Sequence, residues 1–378
     1  MLDSNRIHND ASLKDFFAAL WQYEEKKTDR VNVVHIGDSH IQADFFSGTV
    51  RENFHHDFGN AGRGFVFPYR VAKTNEPYSY KTSTNVVWDA KRNVFPDRPL
   101  PIGAGGITIE TFDSNAVINF SLSEKNTIDY SFNKLTLFHE KGKASYDYIV
   151  CDEYNCGIGE INSKDTSSFL STVTFEKPVK QFILKCKVND TLSKCARIYG
   201  LSIENGKRGV LYHMIGVNGA EYRHYNYSKY FQEQMKVMQP QLVIISMGTN
   251  EGFHKGFNAE IFYAQIDTFI TTIKNKNPGT VFLLTTPADS YRKQGRSKLP
   301  NPDMLKARQT VVKYANERNI AYWDLYEVMG GFKSMAKWFA SGLTAKDKLH
   351  FSKKGYIIQG TLFYEALKRS YNNYLKTQ

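Results

Sequence analysis

The hydrophobic pattern changes period twice along the chain, and this constrains the fold more than any single motif. Between about residues 12 and 80, and again from about 205 onward, short apolar runs alternate with stretches of helical spacing. VNVVHI (31–36), GVLYHMIGV (209–217), QLVIISMG (241–248), TVFLLTTP (280–287) and IAYWDL (320–325) read as five strands. Strands that are apolar throughout belong to a parallel sheet covered by helices on both faces. SLKDFFAALWQYEEKK sets Phe16, Phe17, Leu20 and Trp21 at helical spacing, with Ser12 as N-cap. Residues 43–58 predict a helix stopped by Gly59, and further helices are expected near 225–238, 258–276, 302–318 and 352–371.

Residues 81–204 follow a different rule. NAVINFSLS, NTIDYSFN, KLTLFHE, SYDYIVCDE, SSFLSTVTFE, KQFILKCKV and CARIYGLSIE are short, often alternating, and separated by turn residues. This pattern predicts an antiparallel sandwich inserted between the first and second strands of the α/β domain. The expected division is residues 1–80 and 205–378 for the α/β domain and 81–204 for the insert. Insert aromatics such as Trp88, Tyr130, Phe132 and Tyr148 are expected to fill its core.

Charge is unevenly distributed between these parts. The formal net charge is +11, yet residues 81–204 hold 15 Lys/Arg and 15 Asp/Glu, so the α/β part carries the whole excess. Such a surface attracts a polyanion. No block of five or six consecutive Lys/Arg, zinc-finger pattern or RNP-like motif accompanies it, so nucleic acid is not expected as a partner. No segment has the ~20 apolar residues of a membrane span, and the polar start MLDSNRIHND is not a secretory signal.

All four cysteines lie in the insert. Cys186 and Cys195 flank a hairpin-like KVNDTLSK and suit a cross-strand pair, and Cys151 and Cys156 suit a small closed loop. Four buried thiols are the alternative, and sequence alone does not choose. The C-x4-C and C-x8-C spacings are not those of zinc ribbons.

Functional groups of a parallel α/β sheet gather at the carboxyl ends of its strands. There the chain carries Gly37-Asp38-Ser39-His40, Gly216-Val217-Asn218-Gly219-Ala220 and Gly248-Thr249-Asn250-Glu251, with Asp347-Lys348-Leu349-His350 before the last helix. Serine is a weak nucleophile until a base takes its proton, and His350 is the candidate base for Ser39. Asp347, three residues earlier, orients that imidazole if the turn is of 3₁₀ type. Backbone N–H groups of Ser39 and Gly219 and the Asn250 side-chain amide are candidate oxyanion donors.

In these four blocks, in this order, the sequence resembles the SGNH/GDSL hydrolases. The resemblance implies a three-layer α/β/α flavodoxin-like fold with strand order 2-1-3-4-5. It also implies a serine esterase with Ser39, Asp347 and His350 as catalytic triad and no cofactor or metal. His40 stands where the family has leucine, and Glu251 where it commonly has aspartate. GDSHIQADFFSGTVRENF and FGNAGRGFVFPY are similar to the peptidoglycan O-acetylesterase branch, whose members also carry a β-rich, carbohydrate-binding-module-like insert. That branch implies an O-acetylated glycan substrate, peptidoglycan first, and an exported periplasmic or cell-envelope protein whose signal peptide is not in this chain. Acetylated xylan and a non-catalytic glycan-binding role are the alternatives.

The neighbouring residues carry bland and functional readings side by side. Asp38, His40, Arg63 and Glu251 are weak candidates for substrate contacts, although Asp38, His40 and Glu251 also suit bracing of their turns, and Arg63 and Arg70 an ordinary arginine surface. His35 alternates with core residues and reads as a satisfied core histidine; His55 and His56 fall on a helix surface or its edge. His213 and His254 fit no role from sequence. Gly59, Gly62 and Gly64 lack the Gly-Lys-Ser/Thr ending of a P-loop and read as a turn near the site.

Overall fold

The computed structural model describes residues 4–97, 99–152 and 155–378. Five parallel strands run in the spatial order Gly209–Gly216, Arg30–Gly37, Leu242–Ser246, Val281–Thr285 and Ala321–Trp323. This is the 2-1-3-4-5 order expected above. A sixth strand, Ile7–His8, joins the outer edge antiparallel to Ala321–Trp323, so the sheet is mixed. Two residues are too few to leave a periodic signal in sequence.

Every residue of Gly209–Gly216 and Leu242–Ser246 is buried, which explains their lack of polar alternation. Helices Lys14–Glu24, Phe46–Phe58 and Lys353–Leu375 pack together as one layer. Ala259–Lys276 packs with Tyr222–Asn226, Phe231–Met238 and Pro302–Glu317 as the other. The chain leaves Arg30–Gly37 for a neighbour on one side and later returns to the other side. The crevice at that switch point is where an open α/β sheet holds its ligands.

The insert consists of two antiparallel sheets. One runs Cys156–Ile161, Asp147–Cys151, Gln181–Lys187, Val117–Leu122, Tyr80–Thr84. The other runs Leu170–Val179, Phe132–His139, Ala196–Glu204, Ile107–Thr111, Asp89–Arg92, with Gly64–Val66 added against Ala196–Glu204. Tyr80, Phe120, Phe132, Phe175 and Phe182 stack or meet edge to face between them. Trp88, Tyr130, Phe132 and Tyr148 are buried, as expected of core aromatics.

Several local expectations are corrected. Ser12 is not an N-cap: a 3₁₀ turn, Asp10–Leu13, precedes the first helix, and the Ser12 hydroxyl donates to the Asn9 carbonyl at 2.7 Å. NTIDYSFN is not a strand of its own. Asp129 takes the Ser131 N–H and hydroxyl at 2.9 and 2.8 Å, an Asx turn, and extended backbone begins only at Phe132. The 225–238 helix divides into Tyr222–Asn226 and Phe231–Met238, with the Ser228 hydroxyl bonded back to the His224 carbonyl at 2.8 Å. Of the cysteine alternatives left open by the sequence, the Cys151–Cys156 loop is closed by a disulfide, because the strand register sets the two opposite each other, and the Cys186–Cys195 pair is not formed.

The helix expected over 43–58 begins at Phe46. Asp44 leaves the helical path at φ 55°, and its buried carboxylate explains why. Arg51 reaches both oxygens, at 3.0 and 2.9 Å, and Arg63 reaches Oδ2 at 2.6 Å. All three side chains are fully buried. Arg51 Nε also donates to the Tyr130 hydroxyl at 3.1 Å and Arg63 Nε to the Ser79 hydroxyl at 3.0 Å. Burial works against ionisation of Asp44, but the charges of Arg51 and Arg63 outweigh it and hold the carboxyl below its usual value. Arg63 is thus a structural residue out of reach of substrate, contrary to its candidacy as a substrate contact. His55 is also buried, against the Tyr130 ring, whereas His56 is exposed and pairs with Asp57.

Candidate active site

The first parallel strand ends at Gly37, and a single helical turn, Ser39–Gln42, follows at once. Asp38 caps that turn by accepting the His40 N–H at 2.9 Å. The arrangement needs a close approach of backbones: a Cβ on Gly216 would stand 2.3 Å from the Gln42 nitrogen. Ser39 is thereby presented at the rim of the sheet, with its hydroxyl facing the last loop of the domain.

Ser39 Oγ lies 2.9 Å from His350 Nε2, and His350 Nδ1 lies 2.7 Å from Asp347 Oδ2. The three side chains form one hydrogen-bonded line. The turn bearing Asp347 and His350 is not 3₁₀. Lys348 adopts φ 57°, and Asp347 Oδ1 accepts the N–H groups of Leu349 and His350, each at 3.0 Å. The acid fixes its own loop and orients the imidazole with its other oxygen. Burial opposes ionisation of Asp347, but the His350 hydrogen bond and these two N–H donors prevail and hold its carboxyl below the usual range.

His40 braces this line. Its ring packs on His350 with centroids 5.1 Å apart, and its Nδ1 sits 2.8 Å from the Tyr356 hydroxyl on the last helix. Burial, with the neighbouring His350, pushes the His40 ring down to about 3, so it stays neutral. Asp38 is buried, which pushes its carboxyl up to about 7 against the opposing His40 N–H. Both Asp38 oxygens are engaged, by the His40 N–H and the Asn250 amide, so that side chain is not free to grip a substrate.

The oxyanion candidates converge on the same rim. Gly219 is exposed at φ 81°, and nothing lies within 4 Å of where its Cβ would stand. Asn250 donates to the Ala220 carbonyl at 2.9 Å and to Asp38 Oδ2 at 3.2 Å. Both amide hydrogens are engaged, so Asn250 meets a substrate oxygen only by releasing one contact, of which that to Asp38 is the longer. Glu251, proposed from sequence as a weak substrate contact, instead accepts the Tyr222 N–H at 2.9 Å.

Sequence reasoning missed Gln42 and Tyr356. Gln42 lies three residues after Ser39 on the same turn and accepts the Asn218 N–H at 2.7 Å. Its i+3 spacing from the serine was the available signal. Tyr356 had none, because its contact with His40 spans 316 residues. The undecided histidines have plain roles: His213 Nδ1 accepts the Phe65 N–H at 3.1 Å, and exposed His254 pairs with Glu221 at 3.2 Å. His35 is a satisfied core residue, bonded to the Tyr212 and Ser246 hydroxyls at 2.6 and 2.7 Å. Arg70 is exposed.

The family model of the GDSL-like lipase/acylhydrolases matches residues 194–358. This part of the chain carries a GDSL-like domain. The matched segment contains Gly219, Asn250, Asp347 and His350 and begins near the end of the insert, most of which lies between it and Ser39. The structure of a peptidoglycan O-acetylesterase aligns over 95% of this chain and 96% of its own, at 21% identity and a TM-score of 0.78. That likeness establishes a common fold, insert included. An acetyl xylan esterase aligns over 42% of this chain and 81% of its own, at 18% identity and a TM-score of 0.35. A family two carbohydrate esterase from Cellvibrio japonicus aligns over 78% and 99%, at 9% and 0.32. No curated protein matches the sequence. The GDSL-like domain makes the chain an ester hydrolase of the SGNH type.

Proposed function

We propose that this hydrolase removes O-acetyl groups from a bacterial glycan, with peptidoglycan as its substrate and Ser39 as its nucleophile. The observation that carries the reading is the continuous line from Ser39 through His350 to Asp347. Ser39 Oγ attacks the acetyl carbonyl while His350 Nε2 takes the hydroxyl proton. Negative charge develops on the former carbonyl oxygen, beside the N–H groups of Ser39 and Gly219. Asn250 adds its amide by exchanging the longer contact with Asp38. Collapse expels the sugar alkoxide, which leaves with the proton from His350, and the acetyl group remains on Ser39. Water, deprotonated by His350, releases acetate and restores the hydroxyl.

Three observations support the wall polymer as substrate. The net positive charge belongs to the part of the chain outside the insert, and peptidoglycan carries carboxylates. The whole-chain likeness is to a protein described as a peptidoglycan O-acetylesterase. The Cys151–Cys156 disulfide suits an oxidising compartment and so an exported protein. Among the described residues no helix is long and apolar enough to cross a membrane.

The test is acetate release from O-acetylated peptidoglycan and from acetylated xylan at two salt concentrations. Faster release from peptidoglycan is expected, weakening as salt rises, because exposed charges are screened within about 8 Å at physiological ionic strength. Hydrolysis of a small uncharged acetyl ester should hardly respond to salt. Faster, salt-insensitive release from xylan would overturn the wall-polymer assignment and leave the esterase standing.

A further inference from the structure

The loop bearing Gly219 is held from both sides by side chains from the Ser39 turn and from the third sequence block. The Asn218 N–H is taken by Gln42 Oε1 at 2.7 Å, from the turn that carries Ser39. The Ala220 carbonyl is taken by Asn250 at 2.9 Å and the Tyr222 N–H by Glu251 Oε1 at 2.9 Å, both from the third block. Gln42 is itself anchored, its amide donating to the Asn75 carbonyl at 2.8 Å and to the Thr74 hydroxyl at 3.0 Å. Gly219 alone among residues 218–220 is exposed, with open space at its Cβ position.

We infer that Gln42 and Glu251 are positioning residues that clamp the 218–222 loop on either side of Gly219 and aim its N–H at the oxygen that becomes charged during ester cleavage. Glycine at φ 81° has no side chain to limit its conformation, so its peptide can rotate unless its neighbours are tied. A donor helps an oxyanion only when it is already aimed there. Clamping both flanks while leaving Gly219 open meets that need. Glu251 can hold its bond in protonated form. Burial first, then the nearby Glu221 and Asp38, push its carboxyl up to about 8, and the carbonyl oxygen of a protonated carboxyl still accepts an N–H. Glutamine offers the same acceptor at the same reach.

The inference rests on the esterase reading, and the experiment separates the two. Wild type, Gln42→Ala, Glu251→Ala and Glu251→Gln are assayed on 4-nitrophenyl acetate, with thermal unfolding recorded in parallel. The alanine variants should lose about 10- to 100-fold in kcat, the cost of a misaimed group, with KM within about twofold of wild type. Glu251→Gln should keep kcat within about threefold of wild type, since it retains the acceptor. Wild-type kcat in the alanine variants, or a loss residing in KM, would overturn the clamp. So would a folded Glu251→Gln as impaired as Glu251→Ala, and this arm decides the matter if the alanine variants do not fold. A wild-type chain that cleaves no ester would sink the esterase reading, and the clamp with it.

Discussion

Ser39→Ala is expected to lower turnover of 4-nitrophenyl acetate by roughly 10⁴-fold or more, with the unfolding midpoint nearly unchanged. The hydroxyl stands in line with His350 and Asp347, and members of such a triad act as a unit, so removing one loses most of their joint effect. A loss of that size corresponds to about 5.5 kcal/mol of transition-state stabilisation. Its stability cost should be small. Ser39 is partly exposed, and the turn it begins is capped by Asp38 rather than by its own side chain. Steady-state kinetics beside a melting curve check both halves of the expectation. A variant within tenfold of wild type would mean that the hydroxyl is a spectator.

Asp44→Ala should have the largest effect on stability, about 3–5 kcal/mol, the usual cost of removing one partner from a buried ion cluster. It would leave the guanidinium groups of Arg51 and Arg63 buried without their carboxylate. The same cluster links the first helices of the catalytic part to Ser79 and to Tyr130 of the insert. Its contribution also depends on pH. Because the folded carboxyl titrates below its usual value, the stabilisation is complete above the unfolded pKa of about 3.9 and is lost as pH falls through the folded value. Chemical denaturation of Asp44→Ala at neutral pH checks the magnitude. A change below about 1 kcal/mol would show that the arginines find other partners or water.

The sequence carried the strands and the candidate site blocks because both are local signals, whereas the strand order came with the family resemblance. Five apolar runs announce buried strands, and each functional block lies within a few residues of a strand end or of the last helix. What was not legible depends on distant partners. Arg63 looks like a surface arginine until the fold brings it to Asp44, nineteen residues earlier. His55 looks like a helix-surface residue until Tyr130, from the insert, covers it. Glu251 sits in the right block for a substrate contact, but side-chain direction decides its role, and it points to the Tyr222 N–H. Spacing alone predicts the Asp347–His350 pair, which forms, but not the kind of turn that makes it. The positive φ at Lys348 and the double capture of backbone N–H groups by Asp347 are details of three-dimensional geometry.

The central claim is that ester cleavage passes through a covalent bond to Ser39, and labelling with diethyl 4-nitrophenyl phosphate tests it most directly. The nucleophile attacks phosphorus, 4-nitrophenolate leaves, and the diethylphosphoryl group stays on the attacking oxygen. Peptide mass spectrometry should find one such group per chain, on the peptide containing Ser39, with ester turnover falling in proportion to labelling. Turnover that persists when Ser39 is fully labelled, or is lost through labelling elsewhere while Ser39 stays unmodified, would contradict the account.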